Sequence, residues 1–179
     1  MGPDDGGDEA GGAMAVDTSV VGRSTGASRV RIERGAVAIF ADALKDRNPV
    51  YRDEQAAAAA GLPSIAAPPT FPFAMKQIGL ASADQPPDTT GGTNPMHEVM
   101  SALYAKGGIV LHGEEEFRYH RPMVVGDVLI GEGVVTDIYE KDTASATMTF
   151  IVIETVWRDE TNDEPVVTEV FNLIHRLAK

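Results

Sequence analysis

A carboxylate, a carboxamide and a phenol fall together in Asp46-Arg47-Asn48-Pro49-Val50-Tyr51, the richest polar patch of the sequence. Proton-transfer chemistry needs such groups held within hydrogen-bond reach of a substrate. An ionised carboxylate can serve as a base at neutral pH, whereas a phenol with an ordinary pKa of about 10 is a poor one. The same residues also suit a bend, because Asp46 and Asn48 ahead of Pro49 favour a turn between two helices. Sequence alone leaves the chemical and the structural reading open. The four histidines offer less. His112 and His120 stand eight residues apart on extended chain, which separates them by more than about 20 Å and excludes a local metal pair. His97 opens a helical segment and His175 lies in the last predicted strand, so no metal site is expected. Glu114-Glu115-Glu116 is read as a solvated or interface strand segment and not as a carboxylate site, since alternate residues point to opposite faces.

The elements that must position the patch follow from periodicity and turn chemistry. Arg29-Val30-Arg31-Ile32 alternates like a short strand, and a helix is expected from Arg34, with Val37, Phe40 and Leu44 on one apolar stripe. Pro49 ends helical geometry by Asn48. Asp53 is placed to cap a short helix through Ala56 to Ala60, which Gly61 closes. The prolines at 63, 68, 69 and 72 force an extended crossing before an apolar helix from about Pro72 to Leu80. Ser82 to Pro95, with Gly91-Gly92, reads as a long exposed loop, and Met96 to Ala105 as a short helix. From Gly107 the period becomes two, giving four strands: Ile109 to Tyr119, Val128 to Tyr139, Ala144 to Trp157 and Pro165 to Leu177. Helices first and antiparallel strands second make the fold class α+β.

Bulk properties narrow the function classes. The 179 residues carry a net charge of −12 and 43% apolar residues, which suits one domain with a real core and opposes binding to phosphate backbones. There is no cysteine, so disulfides, zinc thiolates and thiol nucleophiles are excluded, and a cytoplasmic setting is expected. No apolar run approaches the roughly 20 residues of a membrane span, so no membrane insertion is expected. Residues 1–28, rich in Gly, Asp, Ala and Ser, read as a flexible lead-in to a domain over residues 29–179.

From about Val30 onward the chain resembles the MaoC-like (R)-specific enoyl-thioester hydratases and 3-hydroxyacyl-thioester dehydratases. The resemblance rests on the Asp-x-Asn-Pro turn at 46–49, the Ala-rich helix, Gly61 and the proline-rich crossing. It continues in Phe117-Arg118-Tyr119-His120-Arg121-Pro122-Met123-Val124-Val125-Gly126-Asp127. His112-Gly113-Glu114 and Ala67-Pro68-Pro69-Thr70-Phe71 are most similar to the substrate-binding dehydratase subunits of mycobacterial-type fatty-acid elongation, the FAS1-like dehydratase domain.

That likeness implies a single hot-dog fold, an antiparallel sheet wrapped around a central apolar helix. It implies an acyl-CoA or acyl-carrier-protein thioester as substrate, no cofactor, and a second hot-dog subunit as partner in a hetero- or homodimer. Asp46 and Asn48 match the family's catalytic turn, but Tyr51 stands where the catalytic His is expected. Pro69, with Thr70 and Phe71 beside it, falls where a glycine N–H would serve the thioester oxygen, and proline has no N–H to give. The expectation is a substrate-binding subunit whose partner supplies Asp and His. Two alternatives remain. One is a self-sufficient homodimeric hydratase with Asp46 as base and Asn48 or Tyr51 positioning water; the other is a non-enzymatic acyl-thioester binding protein. Thioesterase chemistry ranks lower, because no other carboxylate stands out on the central helix. Phe71, Phe73, Met75 and Ile78 could line an acyl tunnel, although a helix embraced by a sheet must be apolar in any case.

Overall fold

The computed structural model describes residues 16–79, 82–86 and 96–179. A five-stranded antiparallel sheet in the order β1-β3-β4-β5-β2 carries its helices on one side. The strands are β1 (Ser24–Arg31), β2 (Ile109–Tyr119), β3 (Val128–Asp142), β4 (Ala146–Asp159) and β5 (Pro165–Ala178), and the helices are α1 (Arg34–Ala43), α2 (Glu54–Ala59), α3 (Phe71–Gly79) and α4 (Met96–Ala105). This is the expected α+β hot dog, with α3 as its filling.

Each helix ends for a local reason. α1 stops at Lys45, which takes a left-handed φ of 59° while the Asp46 N–H reaches back to the Ala41 carbonyl at 3.0 Å. Asp53 caps α2 as expected, its Oδ1 accepting from Gln55 N–H at 2.7 Å and Ala56 N–H at 3.0 Å, and Gly61 at φ 77° closes it. The expected crossing and central helix form, one residue earlier than the proline at 72 suggested. β1 begins earlier than the alternation at Arg29 indicated, and ordered chain precedes it: Val20 is buried and Gly22 N–H bonds to the Val135 carbonyl. A bulge around Gly26, φ 92°, interrupts the register there and hides the strand from a period-two reading. Within the long loop expected over Ser82 to Pro95, residues 87–95 lie outside the described residues, while Gln85 is held by both backbone groups of Arg31 and by Glu33.

Two buried clusters share the inner face of the sheet. α1 and α3 bring Val37, Phe71 and Met75 onto Leu129, Trp157 and Val167. α4 brings Val99 and Leu103 onto Val135, Ile138 and Ile151. On β3 the inward positions run Leu129, Gly131, Gly133, Val135, so the large residues anchor the two clusters and the glycines lie between them. Apolar burial of this kind contributes roughly 1.5–3 kcal/mol per large side chain. No helix among the described residues is long and apolar enough to cross a membrane.

Candidate functional site

The Asp46 turn is held by its own side chains. Asp46 Oδ1 accepts the Asn48 N–H at 2.9 Å, and Asn48 Oδ1 accepts the Val50 N–H at 3.2 Å, starting the 3-10 turn Pro49–Tyr51. Both polar residues therefore do what short Asx side chains do in turns. Asp46 is half-buried and Asn48 exposed. Tyr51 packs its ring on the edge of the α1–α3 core, and its hydroxyl bonds to no described residue. Burial, and then the charge of Asp46, raise the Tyr51 phenol above its ordinary pKa. The turn thus offers one carboxylate and a phenol that keeps its proton at neutral pH, with no imidazole.

The N-terminal end of α3 holds the second group of expected residues. Pro69 has no amide N–H, and its carbonyl accepts the Tyr119 hydroxyl at 2.7 Å. The Phe71 N–H folds back onto the Pro68 carbonyl at 2.9 Å, and its ring sits edge-on to Phe40 in the core, 5.4 Å between centroids. Thr70 is exposed, and its N–H has no partner among the described residues. Of Pro69, Thr70 and Phe71, only Thr70 leaves an N–H free at the positive end of the helix. Beside this end lies a pocket of about 340 Å³ lined by Ala67, Pro69, Tyr119, His120, Pro122 and Met123. Its Arg121 is committed to Asp127 at 2.8 Å and Asp159 at 2.7 Å.

A larger surprise lies under α3. Glu115, expected on a solvated or interface segment and not at a carboxylate site, is only 9% exposed at its side chain. The correction follows from strand parity: Glu115 and Phe117 share the inner face, and across the ladder they meet Phe171 and Glu169. Burial first, and then the bond to Glu169 and its charge, push the Glu115 carboxyl up to about 8. Glu169 also accepts the Trp157 indole N–H at 2.9 Å. His112 lies 3.7 Å from Glu115 and is packed edge-on against Phe73 and Phe171, each 4.9 Å away. Tyr119, on the same strand, is raised well above the ordinary phenol range by burial, then by the charges of Glu169 and Tyr51. The other histidines are structural or exposed: His175 bonds to the Gly107 carbonyl at 2.6 Å, His120 to Thr168 at 3.0 Å, and His97 is exposed. No cluster able to hold a metal occurs among the described residues.

Glu169 opens onto a cleft of about 250 Å³ between α3 and the sheet, floored by Gly131 and Gly133. Two signals in the sequence could have found it. Glycines two apart inside a strand mark a place where something approaches the backbone closely, and Glu169 falls in step with the inward Val167 and Phe171.

Residues 19–169 match the FAS1-like dehydratase domain region. A UPF0336 protein of Thermobifida fusca is 33% identical over 164 residues, covering 91% of this chain and 95% of that protein. A probable enoyl-CoA hydratase alpha subunit of Thermomonospora curvata is 35% identical over 138 residues, 75% of this chain and 42% of the relative's length. Among solved structures, a chain of the ChsH1-ChsH2 complex from Mycobacterium tuberculosis superposes with a TM-score of 0.67 at 24% identity, covering 86% of this chain and 84% of the other. A MaoC-like dehydratase superposes with a TM-score of 0.65 at 25% identity, over 90% of this chain and 43% of that one. With the hot-dog topology and the Asp46 turn, these likenesses agree, and the chain belongs to the FAS1-like dehydratase domain family within the MaoC-like hot-dog dehydratases and hydratases.

Proposed function

We propose that the chain is the substrate-cradling hot-dog subunit of an (R)-3-hydroxyacyl-thioester dehydratase or enoyl-thioester hydratase, working with a second hot-dog subunit that supplies the catalytic Asp and His. The observation that carries this is Tyr51: the position expected to hold an imidazole holds a phenol, and its surroundings move that phenol further from a neutral-pH base. Asp46 beside it is tied to the turn by the Asn48 amide. Hydration needs a base for water and a proton donor for the α-carbon, and dehydration the reverse. In this proposal both come from the partner, while the free Thr70 amide at the start of α3 steadies the thioester oxygen. The reaction runs on side-chain acid–base chemistry with a CoA or carrier-protein thioester as substrate and needs no cofactor.

The partner's seat is the open edge of β2, which has no ladder neighbour beyond β5 among the described residues. Its exposed Ile109 and Leu111 suit strand addition. A similar structure is a complex of two named chains and a relative is named an alpha subunit, which supports a two-subunit assembly here. The test follows enoyl-CoA hydration by loss of the conjugated thioester absorbance. The pure chain is assayed first, and then with a hot-dog chain from the same genome that bears the Asp-x-Asn-Pro turn followed by His. Turnover only in the mixture is expected. Turnover by the pure chain that disappears in Asp46→Asn would instead make it a self-sufficient hydratase.

A further inference from the structure

We infer that the cleft between α3 and the sheet receives a stretch of the acyl chain that bears a further hydroxyl, beyond the reacting 3-position, with Glu169 accepting from that hydroxyl and Lys76 and Ser28 donating to it from the opposite wall. The inference rests on the acyl-thioester reading above and names the chain that reading leaves open.

The cleft is built into the backbone. Gly131 and Gly133 occupy the two inward positions between Leu129 and Val135. A Cβ at Gly131 would stand 2.5 Å from the Trp157 ring, and one at Gly133 would collide with Thr25 Oγ1 and come within 3.1 Å of Thr155 Oγ1. The two glycines therefore let the Trp157 ring and the Thr25 hydroxyl lie flat on the strand, and these groups line the cleft above it. Its walls differ from those of an alkyl tunnel. Phe73, Trp157 and Phe171 are interleaved with the hydroxyls of Thr25, Ser28 and Thr155, the Lys76 ammonium and the Glu169 carboxylate. A plain hydrocarbon would displace water from these groups without replacing its hydrogen bonds.

The Glu169 carboxylate is fixed from behind. Trp157 donates to one of its oxygens, and the adjacent Glu115 is nine-tenths buried, with an Oε1 that meets no donor. That orphan oxygen is accounted for when Glu115 carries the proton and donates it to Glu169, the state its displacement to about 8 favours at neutral pH. The pair then bears a single negative charge, facing Lys76, which bonds to Ser28 Oγ at 2.6 Å and forms no ion pair among the described residues. Walls that already balance in charge suit a neutral group that both donates and accepts, which is a hydroxyl and not a carboxylate.

Trp157, the only tryptophan of the chain, lines the cleft and reports on it directly. The probes are dodecanoyl-pantetheine and its monohydroxylated isomers with the hydroxyl at successive carbons beyond the 3-position, titrated into the full chain and followed by Trp157 emission. At least one isomer is expected to bind about tenfold tighter than the unsubstituted thioester, the ratio one well-made polar contact supplies. Glu169→Gln keeps an acceptor for the indole, and Lys76→Met alters an exposed helical position. Each should reduce the ratio of hydroxylated to plain thioester affinity. If every isomer binds within about twofold of the parent, the hydroxyl inference is overturned while the acyl-binding role stands. Absence of binding by every thioester, with and without the His-bearing partner, overturns the acyl-thioester reading itself and this inference with it.

Discussion

Glu115→Gln should make the protein more stable at alkaline pH and leave it unchanged near pH 4. The native fold raises the Glu115 carboxyl from an ordinary 4.5 to about 8, chiefly by burial. Below 4.5 the folded and unfolded chains both hold the proton, and the residue contributes nothing to pH dependence. Between 4.5 and about 8 the unfolded chain releases it while the folded chain keeps it, so stability falls as pH rises, and above about 8 the loss is constant. At about 1.4 kcal/mol per pH unit the full displacement corresponds to an upper bound of about 5 kcal/mol. Water reaching the pair through the cleft reduces this to about 2 kcal/mol. Gln donates to Glu169 as the protonated acid does, but it has no proton to lose. Thermal melts from pH 4 to 9 should coincide at the acid end and separate by about 4–8 °C at the alkaline end, with the variant higher. The carboxylates held low by partners, Asp42 by Arg52, Asp142 by Thr147 and Lys179, and Glu160 by Arg29, titrate below this window and cancel in the difference. Parallel melting curves, or a variant less stable at pH 9, would refute proton sharing at this pair.

Gly131→Ala forces a methyl group against the Trp157 ring, so it should cost about 1–3 kcal/mol and shift Trp157 emission, both readable in one urea titration. Asp53→Ala removes the acceptor for two N–H groups at the start of α2 and should lower stability by about 1 kcal/mol without altering thioester binding. Tyr51→His combined with Pro69→Gly restores the imidazole and the missing amide, and the pure chain should then hydrate enoyl-CoA about a hundredfold above its unmodified background. No gain in that assay would mean that the Asp46 turn cannot be made catalytic by these two groups alone.

Most of the fold is written in local patterns. The stripe of Val37 and Phe40 marks α1, while Leu44, expected on the same stripe, is the exposed C-cap; Asp53 and Gly61 bracket α2, and period two from Ile109 onward delivers the strands with errors of only a few residues at their ends. β1 was harder, because its first half runs through Gly26 at positive φ and carries small polar residues that show no alternation. The Asp46 turn was visible as a turn and as a family motif, but its hydrogen bonds are a property of the folded chain. The Glu115–Glu169 pair was missed because each residue looks ordinary in its own segment. Glu115 sits inside an acidic trio, and Glu169 interrupts an apolar strand. Only the β2–β5 register, shifted by the bulge at Gly113, brings them onto one face.

That register also explains how one edge strand can serve two sites. Tyr119, Phe117 and Glu115 succeed one another along the inner face of β2. Tyr119 bonds to the Pro69 carbonyl at the start of α3 and lies in the fields of both Tyr51 and Glu169, while Glu115 backs the cleft. The opposite edge of β2 has no strand beside it among the described residues. A strand added there would hydrogen-bond to the same backbone that carries Tyr119 and Glu115, fixing the N-terminal end of α3 and the carboxyl pair together. Partner binding and cleft geometry then share one mechanical element. In the proposed two-subunit assembly, a disturbance of the pair such as Glu169→Gln should reach turnover mainly through thioester affinity, whereas a disturbance of the open edge should remove association itself.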